Sequence, residues 1–563
     1  MRLLTFLVVS LAVPASAQET VRLNQIGFYP GAPKLAIVVS AEPTRFEVRT
    51  PGGSTAFEAA LSGPEYYALS DETVRVADFS EFRTPGEYVL HVPGLADSHV
   101  FSIGDEIHAG LAVGALKAYY FQRASTALDP EFAGQWARPA GHPDTEVLIH
   151  PSAAGPGRPA GSTISAPRGW YDAGDLNKYV VNSGISTWTL LALQEHYPAY
   201  AGSLTAHIPE SGNDLPDLLD EALWNLRWML TMQDPHDGGV YHKLTTADFA
   251  GYIMPHEGTE PRYVVQKGTG AALNLAAVMA QASRVYQPYR PELADSMLTA
   301  SLAAWRWALA NPDVSYNQWA MNREYDPDVV TGAYGDGRFD DEFAWAAAEL
   351  AQTTRADSFL TRANPANERP GVPTWNSVGT LGWLTRLAAG DPALEGEFLQ
   401  FADTLAGRRH GIAYRTTMGA DRREYNWGSS SNAANQGVLL IQAYRLTGNE
   451  DYLWAAVSNL DYLLGRNATG YSFVTGFGDR TPMHIHHRQS EADGLPDPVP
   501  GLLSGGPNPG QQDRCEYPSD LPAKSFVDHV CSYASNEVTI NWNAPLLYLT
   551  AAIEAEMQAR REQ

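Results

Sequence analysis

Residues 98–122 read SHVFSIGDEIHAGLAVGALKAYYFQ, and the hydrophobic period of the chain changes inside them, near Gly104. Up to Ile103 the stretch is a short run rich in β-branched and aromatic residues, which reads as a strand. From Glu106 to Gln122 it reads as a helix. A change of class at one point predicts two units. The length agrees, because 563 residues are too many for a single hydrophobic core.

Toward the N-terminus the period stays at two. Residues 34–40, 45–50, 73–79, 87–92 and 98–103 read as short strands, separated by turn formers such as Pro51-Gly52-Gly53 and Thr84-Pro85-Gly86. Such strands over roughly 85 residues predict a β-sandwich of immunoglobulin-like type. It holds no evident cluster of reactive side chains. Before it, Arg2, the apolar run 3–13 and Ala15-Ser16-Ala17 have the layout of a secretory signal cleaved after Ala17. The run is too short to span a bilayer comfortably, though a retained anchor is the alternative. The expected divisions are therefore a signal over 1–17, a sandwich over 18–104 and a second domain over 105–563.

Toward the C-terminus the helical pattern recurs twelve times, at 106–122, 182–196, 214–233, 269–286, 291–310, 340–354, 356–363, 375–388, 392–406, 430–446, 450–465 and 541–560. The third shows the type: after an acidic start, Leu215, Leu218, Leu219, Leu223, Leu226 and Leu230 fall on one face. Twelve helices with almost no alternating strands exclude a β/α barrel, which needs a strand before each helix. An even number of helices suits an all-α barrel of six hairpins, an (α/α)6 barrel. Two connections, 155–174 and 475–538, are too long and too rich in Gly and Pro to be simple links, so the site is expected there.

Charge narrows the partners. A net charge of −25 disfavours nucleic acid and anionic membrane, both of which are negative. It suits a neutral polymer. The two cysteines, Cys515 and Cys531, can pair in an oxidising compartment and close a loop; two free thiols are the alternative. They are too few for a cysteine-rich zinc module.

Two loops carry carboxylates among aromatic and small residues. In Trp170-Tyr171-Asp172-Ala173-Gly174-Asp175 the two acids stand three apart and can converge on one water, each raising the basicity of the other. A turn capping the next helix is the plainer reading of the same residues taken alone. The second loop, 526–544, holds Asp528, Tyr533 and Glu537 ahead of the last helix. There a carboxylate complementing a helix N-terminus reads equally from the same residues. His484, His486 and His487 invite thoughts of a metal, but no cysteine or carboxylate accompanies them at ligand spacing.

Longer motifs separate these readings. Residues 169–175 with Lys178-Tyr179-Val180 resemble the DAGD loop of glycoside hydrolase family 9. Residues 472–488, ending His486-His487-Arg488, resemble that family's histidine signature, and 526–544 its acidic signature. Trp427-Gly428-Ser429 and Asp341-Glu342-Phe343 are similar to further family segments, and VRLNQIGFYP at 21–30 to the start of its N-terminal immunoglobulin-like module. The resemblance implies an inverting β-glucan hydrolase. Asp175 would be the general base, Asp172 would help hold the attacking water, and Glu537 would be the general acid. Asp528 would support them, and His486 and Arg488 would bind sugar hydroxyls. Trp170, Trp427 and Tyr533 would extend the sugar-binding surface. Inversion implies acid and base roughly 6.5–9.5 Å apart, and Glu537 must stay protonated at working pH.

No cofactor is expected for the chemistry. Some relatives hold structural zinc early in the barrel, but Ala124 and Gly141 stand where its cysteines would be and His142 alone cannot bind it. Calcium is expected instead. GDGRFDDE at 335–342 offers hard oxygen donors before a helix, with Asp340, Asp341 and Glu342 as the candidates; an acidic helix start is the alternative. An endo-acting β-1,4-glucanase working as a monomer outside the cytoplasm is the leading expectation. An exo-acting relative releasing glucose, cellobiose or glucosamine would share every catalytic residue, and 491–520 is the segment that could block one end of its cleft. A noncatalytic carbohydrate-binding protein would lack one of Asp172, Asp175 and Glu537, and all three are present. No appended binding module is expected after the barrel.

Overall fold

The computed structural model describes residues 20–562; the signal reading of 1–17 lies outside them. The N-terminal unit has nine strands: β1 (Val21–Arg22), β2 (Gly27–Phe28), β3 (Leu35–Val38), β4 (Arg45–Arg49), β5 (Thr55–Ala60), β6 (Glu65–Tyr67), β7 (Glu72–Asp78), β8 (Gly86–His91) and β9 (Phe101–Ile103). They form two sheets, ordered β1-β3-β7-β6 and β2-β9-β8-β4-β5. Alternate residues of the two inner faces make the core, where Phe28 meets Phe79 and Phe101 edge-on at 5.2 and 5.4 Å. All five predicted strands are present. The other four were not visible because β1, β2 and β6 have only two or three residues and β5 buries no side chain fully.

The sandwich is seated on the barrel through the first of these sheets. Ile37, Tyr67, Val74 and Val76 pack into the barrel's own hydrophobic core. Buried polar contacts surround them: Arg22 donates to Glu72 at 3.0 and 2.9 Å and also bonds Tyr414 of the barrel. Tyr29 donates to Glu554 at 2.7 Å and Asn24 to Asp461 at 2.8 Å. Breaking one such partner leaves the other buried and unpaired, so the two units are held in one orientation.

The second unit is the all-α barrel. Its helices are α1 (Ala109–Phe121), α2 (Val180–His196), α3 (Asp217–Thr231), α4 (Thr269–Tyr286), α5 (Pro291–Ala310), α6 (Asp340–Thr354), α7 (Ser358–Arg362), α8 (Gly379–Ala388), α9 (Pro392–Arg408), α10 (Ser429–Thr447), α11 (Glu450–Leu463) and α12 (Ile540–Arg561). The even-numbered helices form the inner ring and the odd-numbered ones the outer, with α12 packing on both α2 and α10. Sequence separates the rings. Inner α4 is buried from Thr269 through Ser283, whereas outer α5 buries Ala294, Met297, Ser301, Ala304 and Ala308, a single helical stripe.

One expectation fails in this unit. A five-stranded sheet, ordered β11-β10-β14-β13-β12, lies within the helical domain: β10 (Val147–Ile149), β11 (Thr163–Ile164), β12 (Lys178–Tyr179), β13 (Lys243–Thr246) and β14 (Arg262–Val264). Its strands have two to four residues, too few for alternation to be recognised, and β13 is buried on both faces. The sheet matters because β12 leads from the acidic loop into α2.

Candidate active site

The two carboxylate loops meet at one end of the barrel. Gly174 makes the meeting possible: a Cβ there would run into the carbonyl oxygen of His486, so only glycine allows the two backbones to touch. Arg488 N–H then donates to Gly174 O at 3.1 Å, and Ile540 N–H, at the start of α12, donates to Asp172 O at 2.8 Å. Glu537 lies just before α12, and His486 bridges its backbone in parallel. Together these loops floor a cleft of about 980 Å³.

Each acid has its own setting. Asp172 is buried and accepts from Asn182 Nδ2 at 2.8 and 2.9 Å and from Tyr334 Oη at 2.9 Å. Burial pushes its carboxyl well above the usual range, the charge of Asp175 pushes the same way, and those hydrogen bonds oppose both. Asp175 Oδ2 accepts from Asn177 and Tyr179, each at 2.8 Å, while its Oδ1 has no protein partner. Glu537 is half-buried at the cleft floor. Removal from water raises its carboxyl well above the ordinary value, Asp175 and Asp172 raise it further, and Arg488 and the Gly174 N–H oppose them. Three acids near one another cannot all ionise cheaply, and the one facing the two aspartates keeps its proton.

This arrangement can carry out an inverting displacement. Asp175 Oδ1 is an open acceptor for a proton of the attacking water, and Asp172, fixed by two donors, orients that water. Glu537, protonated, gives its proton to the departing glycosidic oxygen. His486 Nδ1 sits 2.7 Å from Val530 O, which can only accept, so Nδ1 carries the hydrogen and Nε2 is the free acceptor. Burial lowers the pKa of this ring, which keeps it neutral. Arg488 is locked by donating to Gly174 O and Ala250 O, both at 2.8 Å.

Most predicted site residues meet here. Asp172, Asp175, Glu537, His486, Arg488, Trp427 and Tyr533 all line the cleft. Trp427, 45% exposed, faces Tyr533 with ring centroids 5.4 Å apart, and the two make one aromatic wall. Cys515 and Cys531 are bonded, closing the loop that ends just before Tyr533. Asp528 stands outside the cleft. Its oxygens accept from the N–H groups of Met483 and His484, each at 2.8 Å, and from Asn536 at 3.0 Å, so it braces the histidine and acidic segments against each other.

Trp170 is a correction. It is fully buried, donates to Glu221 at 2.9 Å and packs on Tyr119, so it belongs to the core beneath the loop and cannot meet a sugar. Tyr334, Tyr179, Asn182 and Trp375 were not foreseen. Tyr334 follows a Gly-Ala step with no recognisable pattern, and only its left-handed backbone, φ 46°, marks it as unusual.

The calcium candidates divide. Asp340 faces solvent, whereas Asp341 and Glu342 are buried at the start of α6. Asp341 Oδ2 accepts from Val378 N–H at 2.8 Å, and Glu342 Oε2 and nearby Asp336 Oδ2 have no protein partner. Burial raises the Glu342 carboxyl well above its ordinary value, and neighbouring Asp341 and Asp336 raise it further. Hard, orphaned oxygens fit calcium in kind. Side chains alone supply too few of them: among the described residues no group of three or more His, Cys, Asp or Glu side chains is arranged to hold a metal ion, so backbone or water oxygens would have to complete a site. In the stretch that the sequence matches to the zinc site of some relatives, Ala124 packs with Tyr171 and Leu176, and His142 Nδ1 is 2.8 Å from Tyr171 Oη.

The family model for glycosyl hydrolase family 9 matches residues 109–550, and that for the cellulase N-terminal Ig-like domain matches 16–97. The chain belongs to glycosyl hydrolase family 9. It is 44% identical to the xyloglucan-specific endo-β-1,4-glucanase BoGH9A of Bacteroides ovatus, over 95% of this chain and 94% of that relative. It is 34% identical to endoglucanase C of Cellulomonas fimi, over 94% of this chain and 51% of the relative. The solved structure of a Bacteroides ovatus GH9 protein superposes with a TM-score of 0.90 at 43% identity, covering 96% of this chain and 99% of that one. This family 9 chain is a glycoside hydrolase of the inverting β-1,4-glucanase type.

Proposed function

We propose that this hydrolase cuts within β-1,4-glucan chains and accepts branched glucan of the xyloglucan kind. The observation that carries the endo reading is the open cleft. Of the segment 491–520, which could have closed one end, Gln512 alone lines it. Two aromatic pairs line the cleft with the acids, Trp427 with Tyr533 and Tyr334 with Trp375, and Phe249 lines it beside Arg488. Phe249 and Val330 are 47% and 52% exposed, which leaves apolar surface where branches of a glucan would rest. The Bacteroides ovatus relative, named for xyloglucan, supports the same substrate. Viscosity and reducing ends, followed together on xyloglucan, carboxymethyl cellulose and mixed-linkage glucan, test it. A rapid viscosity fall with few new ends, fastest on xyloglucan, is expected. Sugar release without viscosity loss would favour the exo-acting alternative.

The enzyme works outside the cytoplasm as a monomer on this reading. The signal-like residues 1–17 and the disulfide support an oxidising compartment, and no helix among the described residues is long and apolar enough to cross a membrane. Calcium binds at Asp341 and Glu342, with Asp340 left out and backbone or water oxygens completing the set. A rise in melting temperature on adding calcium, reversed by EDTA and absent in Glu342→Gln, is the expected result.

A further inference from the structure

Lys243 is a buried ammonium with neutral partners. It lies on β13, paired in register with Tyr179 of β12, and among the described residues no carboxylate stands within ion-pair distance of it. Its Nζ donates to Gln318 Oε1 at 2.8 Å, Thr331 Oγ1 at 2.9 Å and Gly332 O at 2.8 Å. It also sits 5.5 Å from the ring centroids of Tyr179 and Tyr316. A buried cation without a counter-ion is costly, and such costs are retained where the charge is used.

Two links run from it to the water-activating acids. Tyr179, in contact with the ammonium through its ring, donates its hydroxyl to Asp175 Oδ2. The second link is the loop 331–334. Lys243 holds its Thr331 and Gly332 ends, and His242 Nε2 lies 2.8 Å from Ala333 O. The fit is close, because a Cβ at Gly332 would stand only 3.1 Å from Tyr179 Oη. The clamped loop keeps Tyr334 in its left-handed conformation, from which its hydroxyl reaches Asp172.

We propose that Lys243 is a positioning residue for the attacking water, supplying positive field to Asp175 through Tyr179 and fixing Tyr334 on Asp172 through the loop 331–334. The titratable groups facing it are Asp175, Tyr179, Tyr316 and its neighbour His242; the groups it meets from the 318–332 segment are otherwise neutral. Burial presses its pKa down to about 7 and Asp175 opposes this, so the two charges are coupled. The inference rests on the glucanase reading above.

The test is the pH profile of kcat/KM on a soluble β-1,4-glucan for wild type, Lys243→Met, Lys243→Gln and Lys243→Arg, with circular dichroism to follow folding. Removing a positive charge near a carboxylate makes its protonation easier, so the acid limb of both neutral variants should move up by about 0.5–1 pH unit. Their kcat should fall about tenfold or more with KM within about twofold, and Lys243→Arg should keep the wild-type limb. An unmoved limb in a folded neutral variant, or an equal shift in Lys243→Arg, overturns the inference. Failure of both neutral variants to fold also overturns it, since lysine would then serve the fold. Wild type inactive on every glucan would instead overturn the glucanase reading.

Discussion

Glu537→Gln separates proton donation from every other role of that side chain. The amide matches the protonated acid in size and charge, so Asp172 and Asp175 keep the same neutral neighbour and substrate binding is undisturbed. What is lost is the proton for the departing oxygen. General acid catalysis contributes about 10²–10⁴-fold, or roughly 2.7–5.5 kcal/mol of barrier. That loss should fall on kcat for a natural glucan, with KM within about twofold. An aryl cellobioside with a dinitrophenolate leaving group needs no protonation, so the same variant should lose less than about tenfold on it. The part of the alkaline limb that Glu537 sets should also vanish. In wild type, activity falls as pH rises through the raised pKa of Glu537, and glutamine has no such proton to lose. Steady-state rates on the two substrates from pH 4 to 9 provide the comparison. Equal losses on both, or an alkaline limb unchanged from wild type, would refute the assignment of Glu537 as the acid.

Other perturbations read other parts of the site. Tyr334→Phe removes one of the donors to Asp172; a charge-assisted hydrogen bond of about 1.5–3 kcal/mol predicts a kcat about 10–150-fold lower, measured at saturating glucan. Trp427→Ala opens the wall shared with Tyr533 and should raise KM for glucan about 5–30-fold with kcat little changed, as initial-rate curves would show. Cys515→Ser with Cys531→Ser frees the loop before Tyr533; closing a loop of this size restrains the unfolded chain by about 3 kcal/mol, so thermal melts should show a lower transition and KM should rise. In EDTA, Glu342 binds its proton more tightly folded than unfolded. Its stabilising effect is complete below its unfolded pKa of about 4 and is lost as pH rises toward the folded value, so Glu342→Gln should flatten that decline in melting temperature.

The sequence by itself determined more of this protein than its length would suggest. The change of period at Gly104 divided sandwich from barrel, and eleven of the twelve predicted helices are long helices of the structure, because a buried stripe every three or four residues is a local property. Asp172, Asp175 and Glu537, which line one cleft, were picked out through motifs and not through spacing alone, since a bare pair of aspartates three apart more readily describes a turn. Tertiary structure decided the rest. Trp170 and Trp427 are the same residue type in two motif segments, yet one is sealed against Tyr119 and Glu221 while the other stands in the cleft. Asp528 and Asp175 are both aspartates of signature loops, but only packing sets one as a brace behind the loops and the other in the cleft. Lys243 shows the reason most plainly. Its partners come from residues 179, 316–318 and 331–332, and only the folded chain gathers them around a charge from which it has excluded water.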